Sequence, residues 1–127
     1  MKYLFALFAA FLSFNLPWEC PAYQEDENKH FVQHAGYSLL YDERYEQARW
    51  VAYELNENEV KGSYERTNKF LEDPLVPTGS AEGIDYKSSG YDRGHLAPAA
   101  DMGFSEKTMV ESFYYSNMSP QVPSFNR

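Results

Sequence analysis

Apolar and polar positions fall in short blocks along this chain rather than in one sustained period. Residues 36–41 and 49–55 concentrate aromatic, β-branched and leucine side chains, and the polar stretch 42–47 separates them, so the two blocks predict an antiparallel strand pair. A helix over residues 45–55 is the competing assignment, but Trp50, Val51 and Tyr53 favour a strand. From residue 67 to 91, Pro74, Pro77, Gly79, Gly83 and Gly90 stand among Ser and Asp, which predicts a long loop of the kind that often carries function. Residues 105–113 suit a short helix, with Ser105 as N-cap and Met109, Val110 and Phe113 on one side. Residues 114–118 read as a strand stopped by Pro120.

The N-terminus differs from the rest. Residues 1–16 carry one cation, Lys2, and then a run of Tyr, Leu, Phe and Ala broken only by Ser13 and Asn15, which reads as a signal peptide. The run is shorter than the roughly twenty residues that cross a bilayer as a helix. The expected layout is a signal peptide over residues 1–22, with an indistinct cleavage site, a polar leader over 23–33, and the folded domain over 34–127. The expected location is secreted or periplasmic, with no stable membrane association once the signal is removed. A buried N-terminal helix is the alternative. Cys20 is the only cysteine, so no intrachain disulfide can form, and Glu19 directly before it disfavours lipid attachment.

A length of 127 residues with 43% apolar side chains suits one domain, and 17% aromatics suit a compact core. The net charge of −8 argues against simple electrostatic attraction to nucleic acid. The charge is uneven, however. Residues 21–60 hold nine acids and three bases, whereas 61–127 hold nine acids and seven bases, so the acidity sits away from the chemistry-bearing segment.

That segment is Tyr91-Asp92-Arg93-Gly94-His95-Leu96-Ala97-Pro98-Ala99-Ala100-Asp101-Met102. It puts an acid, a guanidinium, a flexible glycine and an imidazole within four positions. Imidazole accepts protons near neutral pH, arginine grips phosphate oxygens in two-pronged fashion, and glycine lets backbone approach a neighbour or ligand closely. A base, a phosphate clamp and a close backbone are what phosphodiester hydrolysis requires. Taken alone, these four residues also fit a structural histidine beside an Asp–Arg pair.

Downstream motifs shift that balance. The chain continues with Ser116-Asn117-Met118-Ser119-Pro120-Gln121 and then Phe125-Asn126. With Asp92-Arg93-Gly94-His95 followed by a small-residue and proline stretch, this order resembles the DNA/RNA non-specific endonucleases of the ββα-metal finger superfamily. Residues 50–53 and 70–74 add to the likeness, which covers most of residues 34–127. The resemblance implies an α+β fold with an antiparallel sheet core and a ββα-metal finger. It implies metal-dependent, sequence-non-specific hydrolysis of DNA and RNA, with His95 as general base and Mg²⁺, or another divalent cation such as Mn²⁺, held by Asn126. Arg93 and Arg66 would contact the scissile phosphate, and Asn117 would contact substrate or brace the finger. Asp92, Gly94 and Gln121 would support the site.

The sequence ends at Arg127, where the family continues into a Gly, a Trp and a Glu. The finger's final helix is therefore expected to be missing, with Asn126 on a turn that cannot close and activity weak or absent. A non-catalytic secreted domain that binds nucleic acid, or is merely structural, is the alternative. His30 and His34 share the spacing of helical zinc ligands without a third ligand, and Asn117-Met118-Ser119 matches a glycosylation pattern inside a predicted strand. Neither carries weight. Asp101 is expected to be solvated or to cap the chain before Gly103.

Overall fold

The computed structural model describes residues 20–127. The expected signal peptide lies almost wholly outside these residues. No helix among them is long and apolar enough to cross a membrane.

Strands β1 (Lys29–Gln33), β2 (Ser38–Asp42) and β3 (Gln47–Ala52) form an antiparallel sheet in the order β1-β2-β3. The predicted strand pair is β2 with β3. Their connection turns at Asp42, whose carboxylate accepts from the backbone N–H of Arg44 (3.1 Å) and from its guanidinium (2.9 and 3.0 Å). Asp side chains that bond the backbone two residues on are turn formers. The central strand β2 is buried throughout, and Leu39 and Tyr41 enter the main core with Val32, Tyr37, Val76, Ala97 and Met102.

Strand β1 lies in the stretch expected to be a polar leader, so that expectation is corrected. It pairs along its whole length with β2, from Lys29 opposite Asp42 to Gln33 opposite Ser38. An edge strand with one solvated side needs few apolar residues, and here only Val32 is buried.

Beyond Asn58 a short 3₁₀ turn, Glu59–Lys61, leads into the long loop, whose only helical turn is α1 (Gly83–Tyr86). Strand β4 (Asp92–His95) follows, then α2 (Glu106–Glu111). Ser105 caps α2 as predicted, accepting from Thr108 N–H at 3.1 Å. A second 3₁₀ turn (Tyr115–Asn117) opens into β5 (Met118–Gln121), and α3 (Pro123–Asn126) ends the described chain.

The predicted strand over 114–118 is thus displaced, and Pro120 does not stop it. Leu96 N–H donates to Asn117 O at 2.9 Å, and the two residues continue the β4–β5 register. Because hydrogen-bonded and non-hydrogen-bonded pairs alternate in an antiparallel ladder, Arg93 opposite Pro120 falls at a non-bonded position. Proline there costs no ladder bond.

Candidate active site

The β4–β5 ribbon packs over two small apolar clusters, Ala81/Tyr115/Met118 and Ala99/Met109/Phe113, and Phe70 touches both. Its upper side opens into a cavity of about 740 Å³ lined by Arg66, Phe70, Lys87, Asp92, Arg93, His95, Gln121 and Asn126, among others. All the sequence-predicted site residues except Gly94 and Asn117 line this space.

Gly94 acts by having no side chain. It pairs with Ser119, one diagonal step from Gln121. A Cβ on Gly94 would lie 1.9 Å from Gln121 Cδ, so the glycine is what lets Gln121 lie across the ribbon.

The His95 ring stands edge-on to Phe113, with centroids 4.7 Å apart at 85°, and 6.0 Å from Phe70. Its Nε2 is sealed from solvent without a hydrogen-bond partner. Burial in this aromatic wall, and secondarily the charge of Arg66, push the imidazole pKa down from 6.5 to about 4. The ring is therefore uncharged at neutral pH, able to accept a proton. The sign for stability follows. Between about 4 and 6.5 the unfolded chain binds the extra proton and the folded one does not, so this group's contribution to stability falls as pH drops through that window. An NMR titration of the His95 ring is expected to show a midpoint of about 4, and an unshifted midpoint would mean that the aromatic wall does not desolvate it.

Two guanidiniums rest on the same aromatic supports. Arg93 sits over Phe70 at 3.8 Å and Arg66 over Phe113 at 5.3 Å, both within cation–π range. Arg93 Nη1 also donates to Tyr115 Oη at 3.3 Å. Sequence reasoning found both arginines but missed the rings that hold them, and missed Lys87 as a third base on the cavity wall.

At the far end, α3 closes one helical turn, contrary to the expectation that none could form. Phe125 and Asn126 N–H both donate to Val122 O, at 2.9 and 3.1 Å. Pro123 at the first helical turn presets the backbone for this, and its missing N–H is one that a helix start leaves unbonded anyway. Asn126 Nδ2 donates to Asp92 Oδ2 at 3.2 Å, while Arg127 binds both Asp92 oxygens at 2.9 Å. Those bonds, Arg127's first and Asn126's second, hold the Asp92 carboxyl below its usual range. Asp92 orients the Asn126 amide and leaves its oxygen for a ligand. One free amide oxygen beside an aqueous cavity fits Mg²⁺, which takes oxygen ligands and keeps several waters. Among the described residues no group of three or more His, Cys, Asp or Glu is placed to hold a metal ion.

Asn117 does not reach the cavity, which corrects the substrate-contacting role expected for it. It is fully buried. Its Oδ1 accepts from Ala97 N–H at 2.8 Å, and its Nδ2 donates to Ala97 O and Ser112 O, each at 2.9 Å. It braces the chain just after His95, and its burial also removes it as a glycosylation acceptor. Asp101 is neither free nor a cap but accepts from Tyr53 Oη at 2.7 Å. His30 and His34 lie on and beyond β1, not on a helix, and face different acids, Glu43 and Asp73.

An uncharged imidazole in one cavity with two arginines and a free amide oxygen can hold a phosphodiester and accept a proton beside it. The chain is also similar to known nucleases. The sequence signature of the DNA/RNA non-specific endonucleases spans residues 20–127. Endonuclease G, mitochondrial, of Bos taurus is 43% identical over 95 residues, 73% of this chain and 32% of the relative. Nuclease EXOG, mitochondrial, of Homo sapiens is 41% identical over 90 residues, 69% of this chain and 24% of the relative. A crystal structure of the EndoG/EndoGI complex superposes with a TM-score of 0.71 at 38% identity, covering 77% of this chain and 42% of that one.

The chain belongs to the DNA/RNA non-specific endonuclease family. Its fold is α+β, built from small antiparallel sheets with few helices, like that of EndoG. It spans about a third or less of the length of these curated relatives. The expected secreted or periplasmic location is corrected by these relatives, both of which are named as mitochondrial nucleases.

Proposed function

We propose that the protein hydrolyses phosphodiester bonds of DNA and RNA without sequence preference, with His95 as general base. The observation that carries this is the His95 ring, held uncharged in a cavity that it shares with Arg66, Arg93 and the Asn126 amide. Since Nε2 is sealed, Nδ1 is the ring nitrogen left to take a proton from water. The oxygen of that water bonds to phosphorus, the P–O3′ bond breaks, and O3′ takes a proton from solvent, leaving a 5′-phosphate and a 3′-hydroxyl.

Arg93 and Arg66 neutralise the phosphate, and the aromatic rings beneath fix where their charges sit. A phosphate bound beside the imidazole raises its basicity by charge attraction, towards the pH at which a general base is most effective. A divalent cation bound at the Asn126 oxygen would supply charge stabilisation to the phosphoryl and leaving oxygens. Asp92 keeps that amide oriented. Among the described residues the cavity wall carries three bases, Arg66, Lys87 and Arg93, against the single acid Asp92, which Arg127 already engages. This local balance answers the unfavourable net charge. Contacts directed at phosphates rather than base edges carry no sequence information.

Incubation with supercoiled plasmid and with RNA, with Mg²⁺ or with a chelator, tests the proposal. Both substrates are expected to be cut at scattered positions with Mg²⁺ and left intact with chelator. A discrete fragment pattern, or cutting that ignores the chelator, would overturn it.

A further inference from the structure

A second cluster of polar side chains is buried outside the cavity. The His34 and Asp73 side chains are both 0% exposed, and His34 Nε2 meets Asp73 Oδ2 at 2.8 Å. The same carboxylate oxygen accepts from Ser116 Oγ, while Oδ1 accepts from Leu75 N–H at 2.9 Å. Asp73 N–H in turn donates to Ser80 Oγ at 2.9 Å. Burial alone would raise the Asp73 carboxyl, but His34, by hydrogen bond and charge, and then Ser116 and Leu75 outweigh it and hold it below its usual range. On its other side His34 faces Glu111, with Nδ1 3.9 Å from Oε1, and Glu111 accepts from Ala35 N–H at 2.7 Å.

One buried carboxylate thus joins the end of β1, the loop at 73–80 and the turn at 115–117. A buried charge is costly unless fully paired, and apolar packing could join the same segments without that cost. What apolar packing could not supply is direction. Ser116 immediately precedes Asn117, whose backbone O takes Leu96 N–H and whose side chain clamps both backbone groups of Ala97. His95 is the next residue along, opposite Met118 in the ladder.

We propose that Asp73 is a positioning residue for His95, fixing the turn through Ser116 and, through Asn117, the backbone that follows the imidazole. This rests on His95 being the base. Displacement of a catalytic group by about 1 Å costs up to a hundredfold in rate, so the expected signature is in turnover rather than in substrate binding. Ser116→Ala removes one hydroxyl and leaves Asn117 in place. It is expected to lower kcat about tenfold, with KM within about twofold because the phosphate-binding arginines are untouched.

The same variant, without substrate, is expected to shift the Asn117 side-chain amide and His95 ring resonances in NMR spectra relative to the wild type. Unchanged kcat, or a fall in kcat with both sets of resonances unmoved, overturns the proposal. If the wild-type protein cuts neither substrate, the nuclease reading fails, and the resonances still decide whether Asp73 and Ser116 position His95.

Discussion

Replacing His95 with Ala is expected to lower kcat for plasmid and RNA cleavage by about 10²–10⁴-fold, the usual contribution of a positioned general base. Among the described residues no neighbour is placed to substitute. Asp92 is the only carboxylate side chain on the cavity wall among the described residues, and both of its oxygens are bound by Arg127. The Tyr86 phenol is pushed further from ionisation by burial. The arginines and the Asn126 amide remain, so KM is expected to move far less than kcat. His95→Gln, which keeps more of the side-chain volume against Phe70 and Phe113, separates lost chemistry from lost packing: it should fold like the wild type and cut as poorly as His95→Ala.

The largest effect on stability is expected at Asn117, which touches no ligand. Asn117→Ala strands Ala97 N–H, Ala97 O and Ser112 O in the interior, where each unsatisfied group costs about 1–3 kcal/mol. Some relaxation tempers the sum, and urea unfolding is expected to show a loss on the order of 3–5 kcal/mol. Asn117→Asp should be no milder. It keeps the acceptor for Ala97 N–H but turns a carboxylate towards two carbonyl oxygens that lose their donor. A loss below about 1 kcal/mol in both variants would mean that the clamp does not hold the segment after His95.

The parts of the fold visible in the sequence were those where one segment carried its own signal. Trp50, Val51 and Tyr53 marked β3, and Ser105 before Met109 and Phe113 marked α2. Strand β1 was hidden because Lys29 and Gln33 lie on the face opposite Val32 and, with His30, read as a polar leader. Pro120 misled because its effect on a strand depends on which way its nitrogen points in the ladder, and residue type does not reveal register. The turn of α3 had a local signal in Pro123, outweighed in the reading by the nearness of the last residue.

The site divides similarly. Asp92 to His95 stand together in sequence, and Asn126 is recognisable by its place after the Ser116–Gln121 motif. Phe70 and Phe113, which bury the imidazole and carry the arginines, look like ordinary core residues along the chain. The contacts of Asp73 with His34 and Ser116 span 39 and 43 positions, and only the folded sheet and loop bring those groups together.

Chemical rescue of a His95→Gly variant tests the proton-acceptor role most directly. Removing the ring opens a gap against Phe70 and Phe113 wide enough for free imidazole. Added imidazole is expected to restore Mg²⁺-dependent cleavage in proportion to its uncharged form, and to leave the wild type unchanged. A variant that cuts as well as the wild type without imidazole, or that no imidazole concentration revives while it stays folded and still binds DNA, would contradict His95 as the base.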